Sequence, residues 1–101
     1  MKNAAIYAYQ ASPEKNGLEK QIENCKKYCL DNSLTVIAVY QEEVGNRKER
    51  ARLLKSAKAG EFQVVVVRDY SRFSRDVAEF SIVIFQLQES GIDIQTIQKL
   101  P

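Results

Sequence analysis

A chain of 101 residues, 45% of them hydrophobic, fits one domain with a core and leaves no room for a second. Its net charge of +2 is too small to coat nucleic acid by bulk electrostatics, so any anion site must come from local arginine placement. The absence of His excludes imidazole acid–base chemistry and His metal ligation, leaving Ser, Tyr, carboxylates, Lys and Arg as the reactive groups.

Ala4 to Tyr9 reads as a strand, and the polar stretch "QASPEKNG" carries it into a helix over about Leu18 to Asp31. Leu18, Ile22, Cys25 and Cys29 recur at the helical period and form its inner stripe. Two cysteines one turn apart on an apolar stripe are expected to pack as small hydrophobes, without a disulfide or a metal. "LTVIAVY", Leu34 to Tyr40, is the second strand. A charged loop follows, then a helix over about Lys48 to Ala59 with Ala51, Leu54 and Ala57 inward, closing at Gly60. The apolar run "FQVVVVR", Phe62 to Arg68, has the character of a strand covered on both faces.

A third helix spans about Asp76 to Glu89, with Val77, Phe80, Ile84 and Leu87 facing the sheet. Ile82 and Phe85 point elsewhere, and one or the other is expected to meet a second chain or whatever follows residue 101, the plainer alternative being a wide core face. "IDIQTI" is the fourth strand. The order βαβαβαβ implies an α/β fold: a Rossmann-like three-layer sandwich on a mainly parallel four-stranded sheet. No apolar run approaches membrane-spanning length, and "MKNAAIYAY" is too short and too β-rich for a signal peptide. A soluble protein of the reducing cytoplasm is expected.

In such folds ligands sit beyond the carboxyl ends of the strands, where "QASPEKNG", "QEEVGNRK" and "RDYSRFSRD" should gather. If the third helix begins by Arg72, then Arg72 and Arg75 share a face beside its free N–H groups and outline a phosphate clamp. Spacing alone favours a plainer arrangement, with Arg75 paired to Glu79 and Arg72 solvated. "GNRKERARLL" adds Arg47, Lys48, Arg50 and Arg52, most of them explicable as a solvated helix start. Together these segments bring arginines to one rim, and phosphodiester is the anion that guanidinium forks match.

"AAIYA", "LEKQIENCKKY", "LLKSAKAGEFQVVVV" and "SRFSRD", in this order, resemble the N-terminal catalytic domain of the serine recombinases, the resolvase/invertase family, over nearly the whole chain. The resemblance implies a serine hydroxyl that attacks a DNA phosphodiester, a 5′-phosphoserine intermediate, strand exchange within a tetramer, and no metal or other cofactor. Arg72 and Arg75 fall on the arginines of the DRLSR-type motif, and Arg47 on the arginine after the second strand. Gln21 falls on the glutamine of LExQ, and Glu42 takes the place of an acidic residue. Ser71 replaces the acid that opens DRLSR.

The departures fall on the YxRxS motif. Tyr7 matches its tyrosine, but Tyr9 stands at the arginine and Ala11 at the serine nucleophile, leaving Ser12 as the neighbouring hydroxyl. By its own context Ser12, before Pro13 and Glu14, is a loop or N-cap serine. Two expectations follow: a recombinase catalytic domain, active or once active, and a non-catalytic relative that serves as a DNA-phosphate-binding or assembly module. A receiver domain would need an acidic pair where Tyr9, Gln10 and Ala11 stand, and a flavodoxin a hydroxyl-rich loop. The family continues into a long dimerisation helix and a DNA-recognition domain that residues 1–101 do not contain. DNA is the expected partner, with dimers or tetramers in the full-length protein.

Overall fold

In the computed structural model, which describes residues 1–10, 17–43, 47–74 and 76–98, parallel strands alternate with helices in the expected order. The strands are β1 (Lys2–Gln10), β2 (Leu34–Glu43), β3 (Val64–Val67) and β4 (Asp93–Thr96). The helices are α1 (Gly17–Asp31), α2 (Lys48–Lys58) and α3 (Val77–Glu89), with a 3₁₀ turn at Tyr70–Arg72 between β3 and α3. Ala11, Ser12 and Arg75 lie outside the described residues.

The sheet order is β2-β1-β3-β4, every neighbouring pair parallel. The connection from β1 steps one way to β2, and the next crosses back over β1 to β3. Right-handed crossovers then put α1 on one face and α2 with α3 on the other. The two cores follow that division. Ala4, Ile6, Val64 and Val66 pack with Cys25 and Cys29 of α1. Ala5, Tyr7, Val65 and Val67 pack with Leu53 and Ala57 of α2 and with Val83 and Leu87 of α3. All four valines of β3 are buried, which is why the run is apolar without alternation. Each such side chain contributes about 1.5–3 kcal/mol.

Both cysteines are buried free thiols, as their spacing suggested. Burial pushes the Cys25 thiol up to about 12, so it stays protonated and packs as an apolar group.

The inner faces of the other two helices agree with expectation in part. In α2 the buried pair is Leu53 and Ala57, Leu54 is half-buried, and Ala51 is exposed. In α3 Leu87 is buried and Phe80 and Ile84 pack against the core as expected, but Val83 is buried too and Val77 is 77% exposed. Adjacent apolar residues allow two phases of one helix, and contact with the sheet selects between them. Gly60 does close α2, with φ of +77° in the left-handed region that suits glycine.

Candidate functional site

β1 lies between strands reached in opposite directions, and in sheets of this kind the crevice that takes a ligand lies at such a switch point, here the carboxyl ends of β1 and β3. β3 ends at Val67, opposite Tyr7, while β1 runs on to Gln10. Past that point the backbone of Tyr9 needs partners from outside the sheet on this side. Gln21 of α1 supplies two of them: its Nε2 donates to the Tyr9 carbonyl at 3.0 Å, and its Oε1 accepts from the Tyr9 N–H at 3.3 Å. Arg72 Nη1 donates to the same carbonyl at 3.1 Å.

The side chains of Tyr7 and Tyr9 point to the α2–α3 face. The Tyr7 ring is fully buried and stacks on Phe73, with centroids 5.5 Å apart and planes 4° from parallel. Its hydroxyl donates to Glu42 Oε2 at 2.7 Å and accepts from Arg47 Nη1 at 2.8 Å. Burial, and then the bond to Glu42, push the Tyr7 phenol above the usual tyrosine range, against the smaller opposing pull of Arg47. It therefore acts as a neutral hydrogen-bonding strut.

Glu42 also holds the start of α2. Its carboxylate accepts from the backbone N–H groups of Glu49 and Arg50, each at 3.1 Å, so a residue at the end of β2 does the work of an N-cap. The N-cap position itself is Arg47, whose side chain caps nothing and whose backbone is left-handed, with φ of 57°. A non-glycine residue there carries strain of about 1–3 kcal/mol. Its side chain accounts for the conformation. Arg47 Nη1 bonds the carbonyl of Arg72 at 2.7 Å as well as Tyr7, and the guanidinium carbon sits 3.5 Å from the centre of the Tyr9 ring.

Arg47 and Arg72 thus meet around Tyr9. Arg72 is not in the first turn of α3, as the shared-face clamp required. It ends the 3₁₀ turn, and α3 starts after its own N-cap Asp76, whose side chain accepts from the N–H of Glu79. Nor is Arg72 solvated: its side chain is 19% exposed. Arg75 lies outside the described residues. Glu79, its suggested partner, pairs with Arg50, which reaches inward to donate to the Phe73 carbonyl at 2.6 Å and is 14% exposed. Arg50 therefore ties α2 to α3 instead of serving as a solvated helix start. Arg52 does behave that way, paired with Glu49 at 2.8 Å and mostly exposed.

Asp69 belongs to the site, and nothing in the residue spacing marked it. It accepts from the N–H of Ser71 at 3.0 Å and from the Ser71 hydroxyl, and lies 3.5 Å from Arg72 Nε. Arg72 Nη2 in turn donates to Ser71 Oγ at 3.3 Å. Although burial works the other way, the Ser71 bonds and the Arg72 charge hold the Asp69 carboxyl below the usual range. Where Ser71 replaces an acid of the family motif, a carboxylate two residues upstream stands beside Arg72.

Residues 4–100 match the family model described as resolvase, N terminal domain. No curated protein matches. Among solved structures, a resolvase family site-specific recombinase from Streptococcus pneumoniae is similar at 19% identity and a TM-score of 0.88, over 96% of this chain and 72% of that one. The C-terminal catalytic domain of ISC1926 TnpA, an IS607-like serine recombinase, gives 23% and 0.86 over 97% and 71%. The N-terminal catalytic domain of TP901-1 integrase gives 20% and 0.83 over 95% and 77%. At these identities the structures speak for the fold, while the family match spans nearly every residue. The chain belongs to the resolvase family, as a resolvase N-terminal domain.

Proposed function

We propose that this is a serine-recombinase catalytic domain whose rim engages a DNA phosphodiester without forming a phosphoserine through position 11. The convergence of Arg47 and Arg72 on Tyr9, from segments after two different strands, carries the reading. Two guanidinium groups at the mouth of an α/β crevice suit a phosphate, with one fork able to meet each of two oxygens. That similar folds belong to an IS607-like recombinase and an integrase supports DNA as the partner, mobile DNA as the setting, and dimers or tetramers as the working assembly. The cytoplasm is the matching compartment, and among the described residues no helix is long and apolar enough to cross a membrane.

Phosphoryl transfer by this route needs a hydroxyl in line with phosphorus and positive groups for the charge that develops on its oxygens. Arg47, Arg72 and Arg75 answer the second need, with Gln21, Glu42 and Ser71 in support. Ala11 cannot answer the first, and Tyr9 carries no charge for the second. Loss of the attacking atom costs orders of magnitude that the remaining arginines cannot restore. A nicked suicide substrate followed by peptide mapping tests this. No protein–DNA adduct is expected under conditions where an intact relative forms one. An adduct on Ser12 that vanishes in Ser12→Ala would overturn the non-covalent reading and make Ser12 the nucleophile.

A further inference from the structure

We propose that Tyr9 is a positioning residue that holds Arg47 and Arg72 in one orientation toward a phosphate. The inference rests on the phosphate-binding role argued above and concerns the residue that stands where the resemblance implies an arginine. Tyr9 touches each neighbour through a different part of itself. Its ring lies under the Arg47 guanidinium at 3.5 Å, its carbonyl takes Arg72 Nη1 at 3.1 Å, and that carbonyl and its N–H are both held by Gln21.

A second guanidinium at position 9 would repel Arg47 at that distance, whereas an aromatic face attracts it. The bonds of Arg47 to the Tyr7 hydroxyl and the Arg72 carbonyl set its Nη1 edge, and the ring sets its plane. With edge and plane both fixed, less side-chain freedom is lost when a phosphate binds. The left-handed backbone of Arg47 fits this account, since a strained residue persists where its surroundings over-determine it. The site that results has exchanged one positive charge for the orientation of another. It suits a phosphodiester held by charge and geometry, with no base-edge reading.

The test compares the wild-type chain with Tyr9→Leu, which removes the aromatic face, and Tyr9→Phe, which keeps it; Tyr9→Met replaces the first if it fails to fold. Matching thermal midpoints establish that the variants are folded. The first readout needs no DNA: the Arg47 Nε–H resonance, assigned with Arg47→Lys, should carry a ring-current shift in the wild type and in Tyr9→Phe and lose it in Tyr9→Leu. The second is affinity for a short mixed-sequence duplex across a salt series. Tyr9→Leu should bind about tenfold more weakly at low salt, with Tyr9→Phe within about twofold of wild type. The salt slope of Tyr9→Leu should fall by about 0.9, the value of one phosphate contact. An unchanged Arg47 resonance in Tyr9→Leu, or a Tyr9→Phe as impaired as Tyr9→Leu, would overturn the positioning role. A wild-type chain with no salt-dependent binding would overturn the proposed function instead, and the Arg47 resonance would still decide what Tyr9 does.

Discussion

Tyr7 is the residue on which the rim is hung. Its ring is buried against Phe73, and its hydroxyl is shared between the carboxylate that starts α2 and the arginine that reaches the crevice. Tyr7→Phe keeps the stack and removes only the oxygen, leaving Glu42 without one donor and Arg47 without one acceptor. Unsatisfied groups of this kind cost about 1–3 kcal/mol, and urea unfolding near neutral pH should show a loss in that range. The variant should also respond differently to alkali. The fold raises the Tyr7 pKa, so the unfolded chain ionises first. The stability this residue contributes is intact below the ordinary tyrosine pKa of about 10 and declines as pH rises beyond it. Unfolding curves measured upward from that pH should decline less steeply in Tyr7→Phe than in the wild type.

At the scale of elements, the caps decide where side chains arrive. The 3₁₀ turn is short enough that one Asp controls it: Asp69 receives the Ser71 N–H and hydroxyl and faces Arg72, fixing the turn that sends Arg72 back to Tyr9. Because the fold lowers the Asp69 pKa, its contribution is fully present above the ordinary Asp value of about 3.9 and is lost as pH falls through the depressed value below it. Asp69→Asn should flatten the acid limb of a stability profile in that window and weaken duplex binding at neutral pH. An unchanged acid limb would show that Asp69 neither caps nor pairs as described. The helices were legible because a period of 3.6 repeats over many residues and the strands as short apolar, β-rich runs between them, while Gln21, Glu42, Arg47 and Arg72 were legible because the motifs of the family resemblance fall on them. The 3₁₀ turn has no period to detect. The contacts of Tyr9 with Arg47, Glu42 with the start of α2, and Arg50 with Phe73 each join different elements, so no local spacing announces them. For the same reason the spacing left open whether Arg72 shares the first turn of α3, a helix that begins only at Val77.

At the scale of the whole molecule, alternating elements implied a parallel sheet but left open on which side of β1 each strand lies. The order β2-β1-β3-β4 settles where the crevice opens and which helices share a face. It also leaves α3 with apolar surface that the sheet does not use. Ile82 is 58% exposed and Phe85, three residues on, is 60% exposed, while Val83 and Leu87 fill the core. Phe85 borders a groove that also contains Ala51 and Leu54 of α2, so the apolar surface continues across two helices. Holding large apolar side chains in water gives nothing to the isolated fold, and covering each contributes about 1.5–3 kcal/mol at most. The double substitution Ile82→Gln with Phe85→Gln should therefore change the unfolding free energy of this chain by less than about 0.5 kcal/mol, as for surface positions elsewhere. It should nevertheless shift sedimentation toward the monomer at concentrations where the wild type self-associates. A wild-type chain that stays monomeric throughout, or a double variant that unfolds, would show that these side chains serve something other than assembly.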